Sequence, residues 1–370
     1  IAVASHPPAW ISKKSAAVDY TIDETGSGVD KVLCLQGEVA SDCQLPLEKK
    51  DLSEGAHSAK IRVVDRAGNQ SESVLVEWAV DTQKPTVQIS SAPASFVDSK
   101  QNLEVAFQGS DSRSGVKGYR CSVNDQALQP CESPLKLAGL QEGIHSVEVT
   151  AVDLAGNSSQ PAKADWMIDT TAPTVELVEV PEPLTNEKEL QFAFVGQDAG
   201  SGVQKFLCRL NDSAASDCSS PYKVEALGDG EYEFFVHAVD RAGNTSVAQS
   251  YQFHVDRTMP MVQLDSSPAK YSNEMTAEFA FSSPDKDVHS FECRLDGELL
   301  SENCQSPLTI QEALDEGSHV FEVIAKDKAG NVSGPTRYDW QIDTTNPTVE
   351  FVKVPQFETG EKTAEFEFAV

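Results

Sequence analysis

Hydrophobic and polar positions alternate with a period of two along most of this chain. Leu190-Gln191-Phe192-Ala193-Phe194, Tyr232-Glu233-Phe234-Phe235-Val236-His237-Ala238 and Val147-Glu148-Val149-Thr150-Ala151 send successive side chains to opposite faces, as pleated strands do. Such runs are five to nine residues long, separated by clusters of Gly, Pro, Asn, Asp and Ser. No window carries the three-to-four spacing of a helical face. The pattern predicts an all-β chain of short antiparallel strands, paired into sheets that pack face to face.

The strands recur in register. The string D-x-A-G-N stands at Asp65–Asn69, Asp153–Asn157, Asp240–Asn244 and Asp327–Asn331, with spacings of 88, 87 and 87 residues. An aromatic-x-[IV]-D string follows each copy, running from Trp78 to Asp81, Trp166 to Asp169, Phe253 to Asp256 and Trp340 to Asp343. A proline then opens the next stretch, at Pro85, Pro173, Pro260 and Pro347. Landmarks that hold one period over the whole length define a tandem array. The expected divisions are repeat 1 at 1–83, repeat 2 at 84–171, repeat 3 at 172–258, repeat 4 at 259–345, and the first two strands of a fifth at 346–370. In this register Ile1–Val3 falls on Val87–Ile89. The chain is therefore expected to start inside a first strand and to be a piece of a longer repeat protein.

Within repeat 3 the strands take immunoglobulin order. Strand A is expected at Thr174–Val178, B at Glu189–Val195, C at Val203–Leu210, a further strand at Tyr222–Ala226, F at Glu231–Val239, and G ending at Val255-Asp256. The predicted fold class is all-β, a tandem array of immunoglobulin-like, Greek-key β-sandwiches. Before each strand F stands Leu-x-x-Gly-x-[His/Tyr], as Leu52…His57, Leu140…His145, Leu227…Tyr232 and Leu314…His319. It resembles the tyrosine corner of Greek-key sandwiches, whose ring bonds back to the backbone of the turn. Strand C with its Cys, the N-D or D-G turn, C-x-S-P, D-x-A-G-N and I-D-x-T-x-P-T together resemble the bacterial Ig-like tandem repeats of large secreted and surface adhesin-type proteins. The resemblance covers all four repeats and the fifth fragment. Repeat 3 departs from it with Phe253 in place of Trp, and repeat 4 with Ser283–Val288 in place of the usual Ser-Gly-Val loop.

Eight cysteines fall two to a repeat, Cys34 with Cys43, Cys121 with Cys131, Cys208 with Cys218, and Cys293 with Cys304. The gaps of 9, 10, 10 and 11 residues lie in the same hairpin each time and lack the C-x-x-C spacing of zinc knuckles. Four intrarepeat disulfides are expected, with free buried thiols as the alternative. Each closed loop would contribute roughly 2–3 kcal/mol in the chain-entropy model. Paired cysteines point to an oxidising compartment, outside the cell or at its surface.

Charge narrows the partners. Asp and Glu number 58 against 29 Lys and Arg, for a net charge of -29. Such a field repels polyanions, which excludes nucleic acid and anionic membrane surfaces as binding partners. No run reaches the 18 or so apolar residues of a membrane span. IAVASHPPAW at the start lacks the basic and apolar character of a secretory signal.

No catalytic constellation emerges, and the chain is expected not to be an enzyme. His57, His145 and His319 share their position with Tyr232, so a packing role fits them better than proton transfer. There is no G-x-S-x-G, H-E-x-x-H or phosphate loop. Trp78, Trp166 and Trp340 fall on strand G and are expected in the core. Asn69, Asn157, Asn211, Asn244 and Asn331 begin N-x-S sequons, a weak signal.

The aspartates carry the most specific expectation. Immunoglobulin topology sets the last Asp of one repeat against the B–C and F–G loops of the next. That gathers Asp81 with Asp111 and Asp153, Asp169 with Asp198 and Asp240, and Asp256 with Asp285 or Asp287 and Asp327. Three carboxylates would repel unless a hard cation joined them, and calcium (Ca²⁺) suits an all-oxygen cluster. The resemblance implies the same junctional calcium. The alternative is turn chemistry, with Asp accepting backbone bonds and Gly-Asn taking left-handed conformations. The resemblance implies a structural stalk that holds a binding element away from the cell, its partners being neighbouring repeats and a cell-surface or matrix receptor outside these residues. Ligand-binding modules or filament subunits, and accessory repeats of a secreted glycan-degrading enzyme, are the alternatives.

Overall fold

The computed structural model describes every residue except Leu45 and Thr359. Among the described residues all regular structure is β, and no helix is long and apolar enough to cross a membrane. Repeats 1 to 4 each form one three-stranded and one five-stranded sheet. In repeat 3 the first joins A (Thr174–Glu179), B (Glu189–Gln197) and E (Tyr222–Glu225) in that order. The second joins A′ (Leu184–Thr185), G (Gln249–Val255), F (Gly230–Asp240), C (Val203–Leu210) and C′ (Ser216–Cys218), in the order A′-G-F-C-C′. A strand Glu350–Lys353 pairs with Glu367–Ala369 at the end of the chain.

The expected strands of repeat 3 are present, their ends moved by no more than two residues. Strand A′ is new. It is two residues long in each repeat and pairs parallel to G, as Trp10↔Ala79, Phe96↔Met167, Leu184↔His254 and Tyr271↔Gln341. Two residues cannot display a period, so only the pairing reveals it.

The chain packs as two compact units, one of residues 1–174 with 196–205 and 238–247, the other of 175–195, 206–237 and 248–370. Repeat 3 is shared between them, its B–C and F–G loops belonging to the first. Each residue cluster described below lies within one unit.

Alternation puts one side of every strand into a core. In repeat 2 this core is Val105, Phe107, Val147, Val149, Trp166 and Ile168, and in repeat 4 it is Phe279, Phe281, Phe321, Val323, Trp340 and Ile342. In repeat 3, Phe192 stacks on Phe234 with ring centroids 4.2 Å apart, and Phe253 closes on Phe192 at 5.5 Å. Trp78, Trp166 and Trp340 are buried as expected. The four disulfides, Cys34–Cys43, Cys121–Cys131, Cys208–Cys218 and Cys293–Cys304, link strand C to the chain returning past it.

The serine of C-x-S-P has a defined task. Its hydroxyl oxygen accepts the strand B amide, Phe107 N to Ser133 Oγ at 2.9 Å, Phe194 N to Ser220 Oγ at 2.9 Å and Phe281 N to Ser306 Oγ at 2.8 Å. Ser220→Ala is expected to destabilise repeat 3 by about 1–2 kcal/mol, because a half-buried N–H loses its acceptor. Denaturant unfolding followed by circular dichroism would show it as an earlier midpoint. An unchanged midpoint would mean that water replaces the hydroxyl.

The corner side chains bond to the turn as expected. His57 Nε2 donates to Ser53 O at 2.7 Å, His145 Nε2 to Gln141 O at 2.7 Å, Tyr232 Oη to Gly228 O at 3.1 Å and His319 Nε2 to Asp315 O at 2.8 Å.

Candidate functional site

Three carboxylate clusters form where one repeat ends and the next begins. One oxygen from each of Asp81, Asp111 and Asp153 lies within 4.8 Å of the others, and the same holds for Asp169, Asp198 and Asp240, and for Asp256, Asp287 and Asp327. Each triad draws one member from the end of strand G, one from the B–C loop and one from the end of strand F. Asp285, the other candidate in the third loop, turns away and accepts Met261 N at 2.7 Å. Backbone direction decides between these two, because residues two apart in a tight loop need not face alike.

Burial is severe. Asp81, Asp153 and Asp240 are 0% exposed and Asp169 is 1% exposed. Buried carboxylates persist only where donors or cations answer them. The donors here come from loop backbones. Asp81 Oδ2 accepts Ser114 N at 3.0 Å, and Asp169 Oδ2 accepts Ser201 N at 2.6 Å. Asp198 Oδ2 accepts Gly200 N at 3.1 Å and Gly202 N at 2.6 Å. Asp240 Oδ1 accepts Gly243 N at 2.7 Å and Asn244 N at 2.8 Å.

An asparagine completes each junction. Asn157 Nδ2 donates both to Asp153 Oδ2 and to the main-chain carbonyl of Asp81, each at 2.8 Å. Asn244 does the same to Asp240 Oδ2 and Asp169 O, at 2.8 and 2.9 Å, and Asn331 to Asp327 Oδ2 and Asp256 O, at 2.8 and 2.9 Å. Of each Gly-Asn pair expected in left-handed conformation, only the glycine has a positive φ, Gly156 at 93°, Gly243 at 102° and Gly330 at 93°. The asparagine side chain ties one repeat to the last residue of the one before it. The same amides are therefore engaged rather than displayed as glycosylation sites.

A second fastening holds each linker to its own repeat. Thr82 N and Oγ1 donate to Glu54, Thr170 N and Oγ1 to Glu142, and Thr344 N and Oγ1 to Glu316. In repeat 3 Asp229 takes this role, accepting Arg257 N at 2.9 Å and Thr258 Oγ1 at 2.6 Å. The Thr170 bonds, with Lys100 behind them, hold the Glu142 carboxyl down at about 2. Its lowered pKa makes the fastening complete above the ordinary glutamate range, and it is lost only as pH falls through about 2. The acidic residue before the corner glycine, at Glu54, Glu142, Asp229 and Glu316, was the overlooked sequence signal.

The junctions differ electrostatically. Burial pushes Asp169 up, but the bonds from Ser201 and Thr171 outweigh it, so its carboxyl is held below the usual range. Asp256 goes the other way. Burial raises it first, the Thr258 amide opposes, and the charges of Asp327 and Asp287 raise it further. Lys286-Asp287 stands in that loop where the others have Ser-Gly, and the Asp287 carboxyl is among the groups that raise Asp256.

The triads fit a hard cation on two observations. Oxygens sharing one Ca²⁺ lie no more than about 5 Å apart, since each sits at about 2.3–2.6 Å, and the 4.8 Å limit satisfies this. Asp198 Oδ1 is also buried with no hydrogen-bond partner in the second triad.

Residues 265–344 match the family model of a bacterial Ig-like domain, and residues 225–257 match a second bacterial Ig-like model. The two matched stretches are bacterial Ig-like domains. A search of curated protein sequences returns no match. Among solved structures, fibronectin(III)-like modules of Clostridium thermocellum CbhA are 20% identical, cover 46% of this chain and 94% of their own, and superpose with a TM-score of 0.31. Sidekick-1 immunoglobulin domains 1–5 are 12% identical, cover 90% and 78%, and give a TM-score of 0.32. Chicken CNTN1 FN1–FN3 domains are 12% identical, cover 70% and 98%, and give 0.27. The corner histidines His57, His145 and His319 are occupied with backbone carbonyls, a structural role.

Proposed function

We propose that these bacterial Ig-like repeats form a spacer of an extracellular, adhesin-type protein, holding a binding element away from the cell, with calcium joining successive repeats. Cell-surface or matrix receptors belong to segments outside these residues. The observation that carries the reading is the repeated junction, in which the terminal Asp of one repeat is bonded by the loops of the next. A linker built for free hinging would have no reason to bury that carboxylate. The divergent loop of repeat 4, the best support for a ligand-binding role, is itself spent on a junction through Asp287. Disulfides in all four repeats support an oxidising surrounding.

Asp81, Asp111 and Asp153, Asp169, Asp198 and Asp240, and Asp256, Asp287 and Asp327 would hold the ions. A bound cation neutralises like charges that otherwise push the two repeats apart. Calcium at about a hundredfold excess over its Kd would add about 2.7 kcal/mol to each site that binds only when assembled. Limited proteolysis at 82–85, 170–173 and 257–260, with calcium and with chelator, is the test. Calcium is expected to protect all three linkers, and Asp198→Ala to abolish protection at 170–173 alone. Equal cleavage in both conditions would show the aspartates to be turn formers.

A further inference from the structure

The four corners are built alike but fastened differently. The residue three positions after the first cysteine of each repeat is Gly37, Asn124, Asn211 or Asp296. In repeats 2 to 4 its Oδ1 accepts the amide following the corner residue, Ser146 N at 3.0 Å, Glu233 N at 2.8 Å and Val320 N at 2.7 Å. That bond leaves the second side-chain atom facing the corner ring.

Here one atom reverses the demand. In repeat 2 the Asn124 amide stands 2.9 Å from His145 Nδ1 and can donate to it, while Nε2–H donates to Gln141 O. A neutral imidazole satisfies both. In repeat 4, His319 Nδ1 lies 2.8 Å from Asp296 Oδ2 and Nε2 lies 2.8 Å from Asp315 O. A carboxylate and a carbonyl only accept, so both ring nitrogens must carry hydrogen. In repeat 1, Gly37 offers no side chain to His57, and in repeat 3 Tyr232 donates a single neutral hydroxyl.

We propose that repeat 4 alone is fastened by a proton, an imidazolium at His319 bridging Asp296 of the C–C′ hairpin to the Asp315 carbonyl of the E–F turn, and that the fastening loosens as this proton leaves. His319 is only 8% exposed and packs on Trp340, ring centroids 5.3 Å apart. The charged groups facing it are Asp296 and Asp315, while the strand G neighbour, Trp340, is uncharged. Burial pushes the imidazolium pKa down, but the Asp315 carbonyl bond and the bond and charge of Asp296 outweigh it, so the net direction is up. A pKa raised by folding gives stability that is whole below the ordinary histidine value of about 6.5 and lost as pH rises through the folded value. Repeat 4 would thus hold firm in mildly acidic surroundings and relax in alkaline ones, while the corners of the other three keep their fastening.

The test uses the whole chain, selectively labelled at histidine, with and without Asp296→Asn. Asparagine already occupies this position at the same left-handed φ in repeats 2 and 3 (51° at Asn124 and Asn211, 52° at Asp296), so the variant is expected to fold. The His319 resonance should titrate at lower pH in the variant than in the native chain. Amide exchange over 317–327, corrected for intrinsic rate, should accelerate severalfold between about pH 6 and 8.5 in the native chain and stay flat in the variant. A His319 midpoint that ignores the substitution, or the same pH response of exchange in both proteins, would overturn the proposal.

Discussion

Asn244→Ala is expected to weaken the junction between repeats 2 and 3 by about 1–3 kcal/mol, since the buried Asp169 carbonyl loses its donor, and to loosen the loop's own bond to Asp240 Oδ2 as well. The substitution leaves Asp169, Asp198 and Asp240 in place. Its effect should therefore appear both in chelator and in calcium, unlike that of Asp198→Ala. Amide exchange and proteolysis over 170–173 would register it, with 82–85 and 257–260 unchanged as internal controls. Unaltered protection at 170–173 would mean that the asparagine contributes only to its own turn.

Phe234→Ala should have the largest effect of all, about 3–5 kcal/mol, as expected for an aromatic truncated inside a packed core. Phe234 is fully buried on strand F and packs across the sandwich on three rings of the facing sheet, Phe192 at 4.2 Å, Tyr222 at 5.5 Å and Phe194 at 6.4 Å. Repeat 3 contains no tryptophan, the four in the chain being Trp10, Trp78, Trp166 and Trp340. Two probes can therefore separate it from its neighbours. Circular dichroism should show part of the unfolding at lower denaturant, while tryptophan emission keeps its midpoint if each core folds on its own contacts. Movement of both signals together would show that the sandwiches unfold as one.

The carboxylate triads were readable before any coordinates because they follow from topology. Once the strands have immunoglobulin order, the end of G and the two loops of the next repeat must meet, so Asp169, Asp198 and Asp240 were placed together correctly. The asparagine bond was not readable. Asn157 and Asn244 lie 76 and 75 residues from the aspartates whose carbonyls they reach. Within their own loops they look like ordinary turn residues, and their local bonds to Asp153 and Asp240 already account for their chemistry. A side chain with one local and one remote partner hides the remote one. The choice of Asp287 over Asp285 was closed to the sequence for a different reason, since both flank Lys286 and only the course of the loop aims one inward.

By itself the sequence determined the all-β class, the repeat, the strand order and the cysteine pairs. These rest on side-chain alternation and on spacing, which a strand shows within a few residues and a tandem array shows four times over. Tertiary structure alone decided the parallel A′ strands, the asparagine ties between repeats and the proton demanded at His319. Each depends on which face of a group meets which atom of a distant segment. Asn124 and Asp296 differ by one atom in a hairpin turn, and only the ring brought against them by strand F turns that difference into a requirement for charge.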